Sequence, residues 1–259
     1  MSINLDKAVW NCFTGCGGGT LRDLLCKISG KNRLEIDSEI YRLLDEEDLK
    51  LICESNAFVE ENLPLIEVEF PFDKSKVPPW IFDRGFTKQS LKRWGCGYDH
   101  RTGSLAIPIL DSVRRSVGWV IRQPADRQPK YVYSTGLHTS KLLFGQYNIK
   151  ATASAFLCIT EGTLDTIWLD QHQFSSIALL GLNLSRFQED LIKNMELSEI
   201  VLCLDNDPPG QQATDKIYRR LSKYFPTSII TIPPQFKDVQ DIRDSETLKN
   251  IIANRSVFR

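Results

Sequence analysis

Three carboxylates, Glu161, Asp205 and Asp207, follow two short apolar runs, Phe156-Leu157-Cys158-Ile159 and Ile200-Val201-Leu202-Cys203-Leu204. Carboxylates that converge with few basic residues near them in sequence repel one another unless a cation intervenes. Hard divalent ions such as Mg2+ accept carboxylate oxygens and keep positions open for phosphates. The chemistry indicated is metal-dependent phosphoryl transfer. Taken alone, Asp205-Asn206-Asp207 could be a polar strand-to-helix turn with Asp207 capping the next helix. Thr160-Glu161-Gly162 and the Asp205 motif together, each ending an apolar run, favour a site.

Positioning these groups requires a particular scaffold. The apolar runs are rich in branched residues and lack alternation, as strands buried on both faces of a parallel sheet do. A helical pattern follows each, giving strand, helix, strand, helix. Functional groups in such sheets sit just past the carboxyl ends of the strands. The pattern predicts a helix from Thr163 with Asp165 in its first turn, where Asp165 either binds metal through water or caps the helix. It also predicts a strand over Ser176–Leu179, a helix over Ser185–Met195 and a fourth strand over Ser228–Ile232. A helix opening on Pro209 and Gly210 turns Ala213, Ile217, Leu221 and Tyr224 to one side.

Charge is segregated along the chain. The formal net charge is -1. Residues 35–73 nonetheless carry 13 acidic and 2 basic residues, and residues 74–150 carry 14 basic and 4 acidic. A compact basic block is the expected footprint of a polyanion. Within it, Thr87 is placed to cap a helix that Gly95-Cys96-Gly97-Tyr98 ends. Two strand-like runs, Leu105–Leu110 and Val117–Ile121, are joined by the turn Asp111–Ser116. Trp119, Tyr131 and Tyr133 interleave with the cations and could stack bases, with core packing the expected job of Trp119. The acidic block reads as a linker or docking surface, with Ile40, Leu43, Leu44 and Leu51 along a helical face and a short strand over Leu65–Phe70.

Glu161-Gly162-Thr163-Leu164-Asp165, followed by Leu204-Asp205-Asn206-Asp207-Pro208-Pro209-Gly210, resembles the acidic signature of TOPRIM domains, shared by DnaG-type primases, topoisomerases and some nucleases. The upstream series of Arg84-Gly85-Phe86, Ile107-Pro108-Ile109, Gly118-Trp119-Val120-Ile121-Arg122, Pro129-Lys130-Tyr131 and Ser140-Lys141-Leu142-Leu143-Phe144-Gly145 is similar to the basic subdomain that precedes TOPRIM in DnaG-type primases. The resemblance implies an α/β fold, a TOPRIM parallel sheet flanked by helices behind a smaller basic α+β subdomain. It carries Arg84, Arg122, Lys130 and Lys141 into binding nucleotide and template phosphates, and Glu161, Asp205 and Asp207 into catalysis. Asp238 completes the metal set for Mg2+ or Mn2+, with Asp165 and Asp241 as further candidates; Asp241 is displaced by one residue from the family spacing. The implied activity is two-metal synthesis of RNA primers from ribonucleoside triphosphates on single-stranded DNA. A TOPRIM-type nuclease and a non-catalytic DNA-binding or helicase-loading module are the alternatives.

Residues 1–34 contain Cys12 and Cys16 on a glycine-rich turn, similar to half of the zinc ribbon of DnaG-type primases. The upstream Cys and His of that ribbon have no counterpart here, and a closed zinc site needs four ligands. The expectation is a degenerate remnant, without bound Zn2+ or with a site completed by another chain. The sequence therefore divides into a partial ribbon (1–34), an acidic linker (35–73), a basic subdomain (74–150) and a TOPRIM domain (151–259). The resemblance implies a replicative helicase or a second subunit as a partner, the second subunit because the ribbon is incomplete; no Gly-x-x-x-x-Gly-Lys-Ser/Thr loop is present, which excludes a built-in helicase motor. Hydrophobic content of 42% and charged content of 25% are those of ordinary globular chains. No apolar run reaches membrane-spanning length. Seven cysteines, mostly in apolar surroundings, suit a reducing cytoplasm.

Overall fold

The structure, a computed structural model, describes residues 2–4, 9–12, 17–31, 36, 65–149 and 156–256. The chain divides into two compact units, Met1–Leu63 and Pro64–Arg259. In the first, β1 (Ser2–Asn4), β2 (Val9–Cys12) and β3 (Gly17–Thr20) form an antiparallel sheet ahead of α1 (Leu21–Ser29). Gly30 stops α1 at φ +71°, the left-handed conformation that suits glycine after a helix. Leu24 is buried, and Leu25 and Ile28 are exposed. Cys12 closes β2. Cys16 and the acidic helical pattern with Ile40, Leu43, Leu44 and Leu51 lie outside the described residues.

The second unit opens with an antiparallel sheet in the order β4-β5-β6-β7, comprising Gly97–Asp99, Ser104–Leu110, Ser116–Arg122 and Tyr131–Tyr133. Two short helices precede it, α2 (Trp80–Asp83) and α3 (Lys88–Arg93). The Thr87 hydroxyl caps α3 by accepting the Ser90 N–H at 3.1 Å. Two sequence expectations are corrected here. Gly97 and Tyr98 already belong to β4, so Gly95, at φ +67°, is the helix stop. Residues 65–70 form no strand: the Val68 N–H meets the Ser116 carbonyl at 2.7 Å, but no ladder follows.

The rest of this unit is built on a parallel sheet in the order β11-β10-β8-β9. In chain order it runs β8 (Phe156–Thr160), α4 (Thr163–Gln171), β9 (Ser176–Ala178), α5 (Arg186–Lys193), β10 (Glu199–Leu202), α6 (Pro208–Leu221), β11 (Thr227–Ile229) and α7 (Ser245–Ala253). From β8 the chain moves to one side, whereas from β10 it moves to the other. Parallel crossovers are right-handed, so the two directions place their helices on opposite faces. The core follows this division. Leu164, Ile167 and Trp168 of α4 pack in one cluster with Cys158 and Val201. Ile192 of α5 and Ala213, Ile217 and Leu221 of α6 pack in the other with Leu157, Ile159, Ile200 and Leu202.

Alternate residues of β8 and β10 thus feed opposite faces, which is why neither strand alternates in polarity. The first cluster also takes in Trp94, Leu105, Ile107 and Phe144, so the basic subdomain and the parallel sheet share one core. Tyr224 lies beyond the end of α6 and is 52% exposed, unlike the three residues expected to pack beside it. β11 stops at Ile229, short of the expected Ile232, although Ile230 and Ile232 remain buried.

Both edges of the parallel sheet are closed by chain segments that are not strands. Phe144 and Ala178 exchange two backbone hydrogen bonds of 3.0 Å at the β9 edge, and Ile229 and Ser256 exchange bonds of 2.9 and 3.0 Å at the β11 edge.

Candidate active site

The connections of β8 and β10 leave in opposite directions, opening a crevice beyond the carboxyl ends of these adjacent strands. Glu161 follows β8 directly. Beneath it the buried Thr160 hydroxyl meets that of Thr166 at 2.8 Å and the Ile177 carbonyl at 3.2 Å, fixing the turn. Asp205 and Asp207 follow β10. The Asp205 N–H donates to Glu161 Oε1 at 3.0 Å, joining the two motifs. Asp207 is the N-cap of α6, its Oδ1 accepting the Gly210 N–H at 3.0 Å. The capping role and membership of the acidic group are therefore compatible. Asp165 does not cap α4; that position is Gly162, which makes no side-chain cap bond.

Asp238 caps a 3-10 turn, Val239–Asp241, by accepting the Asp241 N–H at 2.9 Å. Asp241 folds back to accept the Lys237 N–H at 3.0 Å. The Lys237 ammonium reaches across to Asp205 Oδ2 at 2.7 Å and lies 3.8 Å from Asp207 Oδ2. These charged partners raise the Lys237 pKa, chiefly through the hydrogen bond to Asp205.

The electrostatics identify one acidic group. Burial, then repulsion from Asp205, pushes the Glu161 carboxyl up to about 7. Asp165 is held well above the usual carboxylate range by burial and then by Asp238 and Asp205. Asp238 is raised by burial and then by Asp241 and Asp205. Such mutual repulsion favours proton uptake or a cation. Lys237 supplies one positive charge. Among the described residues no three His, Cys, Asp or Glu side chains are set together as a metal cage. Glu161 is turned to a backbone N–H, Asp207 to its helix and Asp238 to its own turn. Glu161, Asp165, Asp205, Asp207 and Asp238 are the carboxylates that feel one another in this group.

Of the four expected phosphate-binding cations, Lys130 feels Asp238 directly and lies with Arg84 and Arg122. The Arg84 guanidinium donates to Gln240 Oε1, and Gln240 returns its amide to the Arg84 carbonyl at 3.4 Å. Arg84 is thereby tied to the turn that bears Asp238. Arg122 is only 4% exposed. It lies 5.1 Å from the Tyr131 ring centre and 6.0 Å from that of Trp80, and burial lowers its pKa. Its Nη1 donates to the Gln123 carbonyl and, at 3.5 Å, to the Lys130 carbonyl, and its buried Nε has no hydrogen-bond partner. Lys130 is lowered by partial burial and then by Arg122, Lys237 and Arg84, with Asp238 opposing. Lys141 is buried in the 3-10 turn Thr139–Lys141, beside residues held by Gln188, whose amide donates to the Thr139 and Leu142 carbonyls at 3.1 and 2.8 Å. Trp119 is half-buried and meets Phe72 edge-on at 5.7 Å, while Tyr133 is 42% exposed.

Sequence reasoning missed Lys237, Gly210 and Arg243. Lys237 stood next to Asp238, but nothing local says that it crosses to Asp205. Gly210 passed as a helix-start residue. In the structure a β-carbon there would fall 2.2 Å from the Asp205 carbonyl oxygen and 2.9 Å from Glu161 Oε1. Arg243 packs its guanidinium 5.6 Å from the Trp168 ring centre, and its pKa is lowered by burial and then by Arg84.

Residues 158–243 match the family model described as Toprim-like. A DNA primase of Thermotoga maritima is 25% identical over 237 residues, covering 85% of this chain and 42% of the relative. The chain thus spans less than half the length of that relative. The zinc-binding and RNA polymerase domains of the Aquifex aeolicus primase superpose with a TM-score of 0.60 at 18% identity, covering 98% of this chain and 75% of that one. A DnaG primase catalytic domain bound to single-stranded DNA also gives a TM-score of 0.60, at 17% identity, over 71% of this chain and 75% of its own. The fold is that of the DnaG primase catalytic core, with a Toprim-like parallel sheet.

Proposed function

We propose that this chain is the nucleotidyl-transfer core of a DNA primase, joining ribonucleoside triphosphates into short RNA primers on a single-stranded DNA template. One observation carries the reading: at a single switch-point crevice, Glu161, Asp165, Asp205, Asp207 and Asp238 confront Arg84, Arg122 and Lys130. Similarity to bacterial DNA primases, and to a core that binds single-stranded DNA, supports it.

The donor set is all oxygen, which suits Mg2+ or Mn2+. Asp205, Asp207 and Asp238 would hold the ion or ions, with Glu161 and Asp165 beside them. Bound there, such ions lower the cost of charge on the attacking and leaving oxygens. The chain's own groups do the rest. Glu161, with a pKa near 7, is suited to accept the proton of a primer 3′-hydroxyl, since a base works best with a pKa near the working pH. Arg122, held by backbone carbonyls, and Lys130 would act on the triphosphate as fixed positive charges and orient it. Arg84, anchored by Gln240, adds a third cation beside them.

The test is synthesis from labelled ribonucleotides on a single-stranded template, alone and with a replicative helicase. Primers that vanish in Asp205→Asn, with its folding intact, are the expected result. Shortened template would identify a nuclease instead, and normal product from Asp205→Asn would refute the assignment of the acids.

A further inference from the structure

Arg84 stands where α2 ends and is followed by Gly85 at φ +82°. Glutamines from the parallel-sheet part of the unit grip this turn from two elements. Gln171, the last residue of α4, donates its amide to the Gly85 carbonyl at 3.0 Å and accepts the Thr87 N–H at 2.8 Å. Gln240, in the 3-10 turn that Asp238 caps, donates to the Arg84 carbonyl at 3.4 Å and accepts from the Arg84 guanidinium. Packing leaves the turn little freedom. A β-carbon on Gly85 would fall 2.9 Å from the Trp168 ring and 3.0 Å from an Arg243 nitrogen, and Phe86 meets Trp168 edge-on at 5.4 Å. The anchoring elements are the ones that carry acids: Asp165 lies in the first turn of α4, and Asp238 opens the 3-10 turn.

What sets Arg84 apart is the chemistry of its anchor. Other arginines of this unit are pinned by carboxylates: Arg93 by Asp170, Arg115 by Asp111, Arg220 by Glu189 and Arg255 by Glu199. A carboxylate holds a guanidinium firmly but cancels its charge. Arg84 makes no ion pair among the described residues, and its guanidinium is held by a neutral amide that is only 1% exposed. Its direction is therefore fixed while its charge stays available. Arg122, Lys130 and Arg243 all feel that charge, and such cations repel one another until an anion enters.

We infer that Gln240, with Gln171 behind it, is a positioning residue that holds Arg84 against the Asp238 turn with its charge intact, to meet the phosphates of a ribonucleoside triphosphate. The choice of that anion rests on the proposed function. Glutamines that only filled an interface would affect stability alone when replaced. Asp170, next to Gln171 on α4, supplies the comparison: it accepts from Arg93 and, at 2.6 Å, from Trp94 Nε1, and neither partner is among the expected phosphate-binding cations.

The experiment uses the full chain, with calorimetric titration of ATP in the presence of Mg2+ and thermal unfolding of each variant. Arg84→Ala and Gln240→Met should each weaken ATP binding about tenfold. The double variant should match Arg84→Ala to within about twofold, because one residue acts through the other. Asp170→Asn should lower Tm and leave ATP affinity within about twofold of the parent. Should Gln240→Met melt below the assay temperature, Gln240→Asn takes its place, since the shorter amide cannot span both contacts. In primer synthesis the loss should appear in the ribonucleotide KM, with kcat held within about threefold. Losses that multiply in the double variant, an Asp170→Asn loss as large as that of Gln240→Met, or a parent without affinity for ATP would overturn the inference. A parent that shows the coupling yet makes no primers would sink the proposed function and leave the role of Gln240 standing.

Discussion

Replacing Gly210 by Ala tests whether the crevice is as closely assembled as described. Gly210 sits in the first turn of α6, its N–H capped by Asp207. Two general effects favour alanine: helix propensity by about 1 kcal/mol and a less flexible unfolded chain by ~0.4–1 kcal/mol. Geometry opposes them. The added carbon would lie 2.2 Å from the Asp205 carbonyl oxygen and 3.0 Å from its carbon. That obstacle is backbone, which cannot rotate away as a side-chain tip could. Overpacking costs about 1–3 kcal/mol. Displacing Asp205 also loosens its N–H bond to the Glu161 carboxylate, and bonds to charged groups contribute about 1.5–3 kcal/mol. The balance is a net loss of roughly 2 kcal/mol. For a unit of this size the loss should lower Tm by roughly 4–8 °C. Urea and thermal unfolding of Gly210→Ala measure it directly. A variant as stable as the parent, or more stable, would show that the Asp205 loop yields freely and that the crevice is not tightly packed.

Other perturbations address separate links. Lys237→Met removes the ammonium from Asp205; because Lys237 is half exposed, stability should fall by no more than about 1 kcal/mol. Mn2+ affinity, read by calorimetry, should rise, and a fall would mean that Lys237 does not compete with the ion. Gln188 is 1% exposed and its amide donates to three carbonyls, of Thr139, Leu142 and Leu179; Gln188→Leu should cost about 2–3 kcal/mol in urea unfolding, and a neutral result would refute its clamping role. Glu161 has a folded pKa near 7 against an ordinary 4.5. The fold thus prefers its protonated form, and that preference stabilises fully below pH 4.5 and fades as pH rises through 7. Unfolding free energy in chelator should decline over this interval, and the decline should be smaller in Glu161→Gln; identical profiles would remove Glu161 from the account.

The parallel unit was legible because its evidence is local. Unbroken apolar strands, the residues ending them and the Pro-Gly opening of α6 all lie within short stretches, and both acidic motifs could be placed on the strand rim. The misreadings came where partners are distant in sequence. Leu65–Phe70 alternates as a strand does, yet no neighbour supplies a ladder. Gly97-Tyr98 follows a helix stop but is drawn into β4 by pairing with Leu105 and Ala106. Tyr224 continues the spacing of Ile217 and Leu221, but the helix ends before it. Lys237 escaped notice because its partner lies 32 residues away, and Gly210 because its crowding arises only when two strand ends meet. Arg84 was visible as a cation, whereas its tether to Gln240 spans 156 residues.

The two short bridges that close the parallel sheet bear on how the protein avoids its own kind. An uncovered border strand offers free N–H and C=O groups to any passing chain. Phe144 occupies one border and Ser256 the other, and Arg255 fastens the latter by pairing with Glu199 at 2.7 Å. Trimming the polypeptide just after α7 would therefore bare β11 as an adhesive margin, so that loss of a few residues should raise light scattering on storage relative to the full chain.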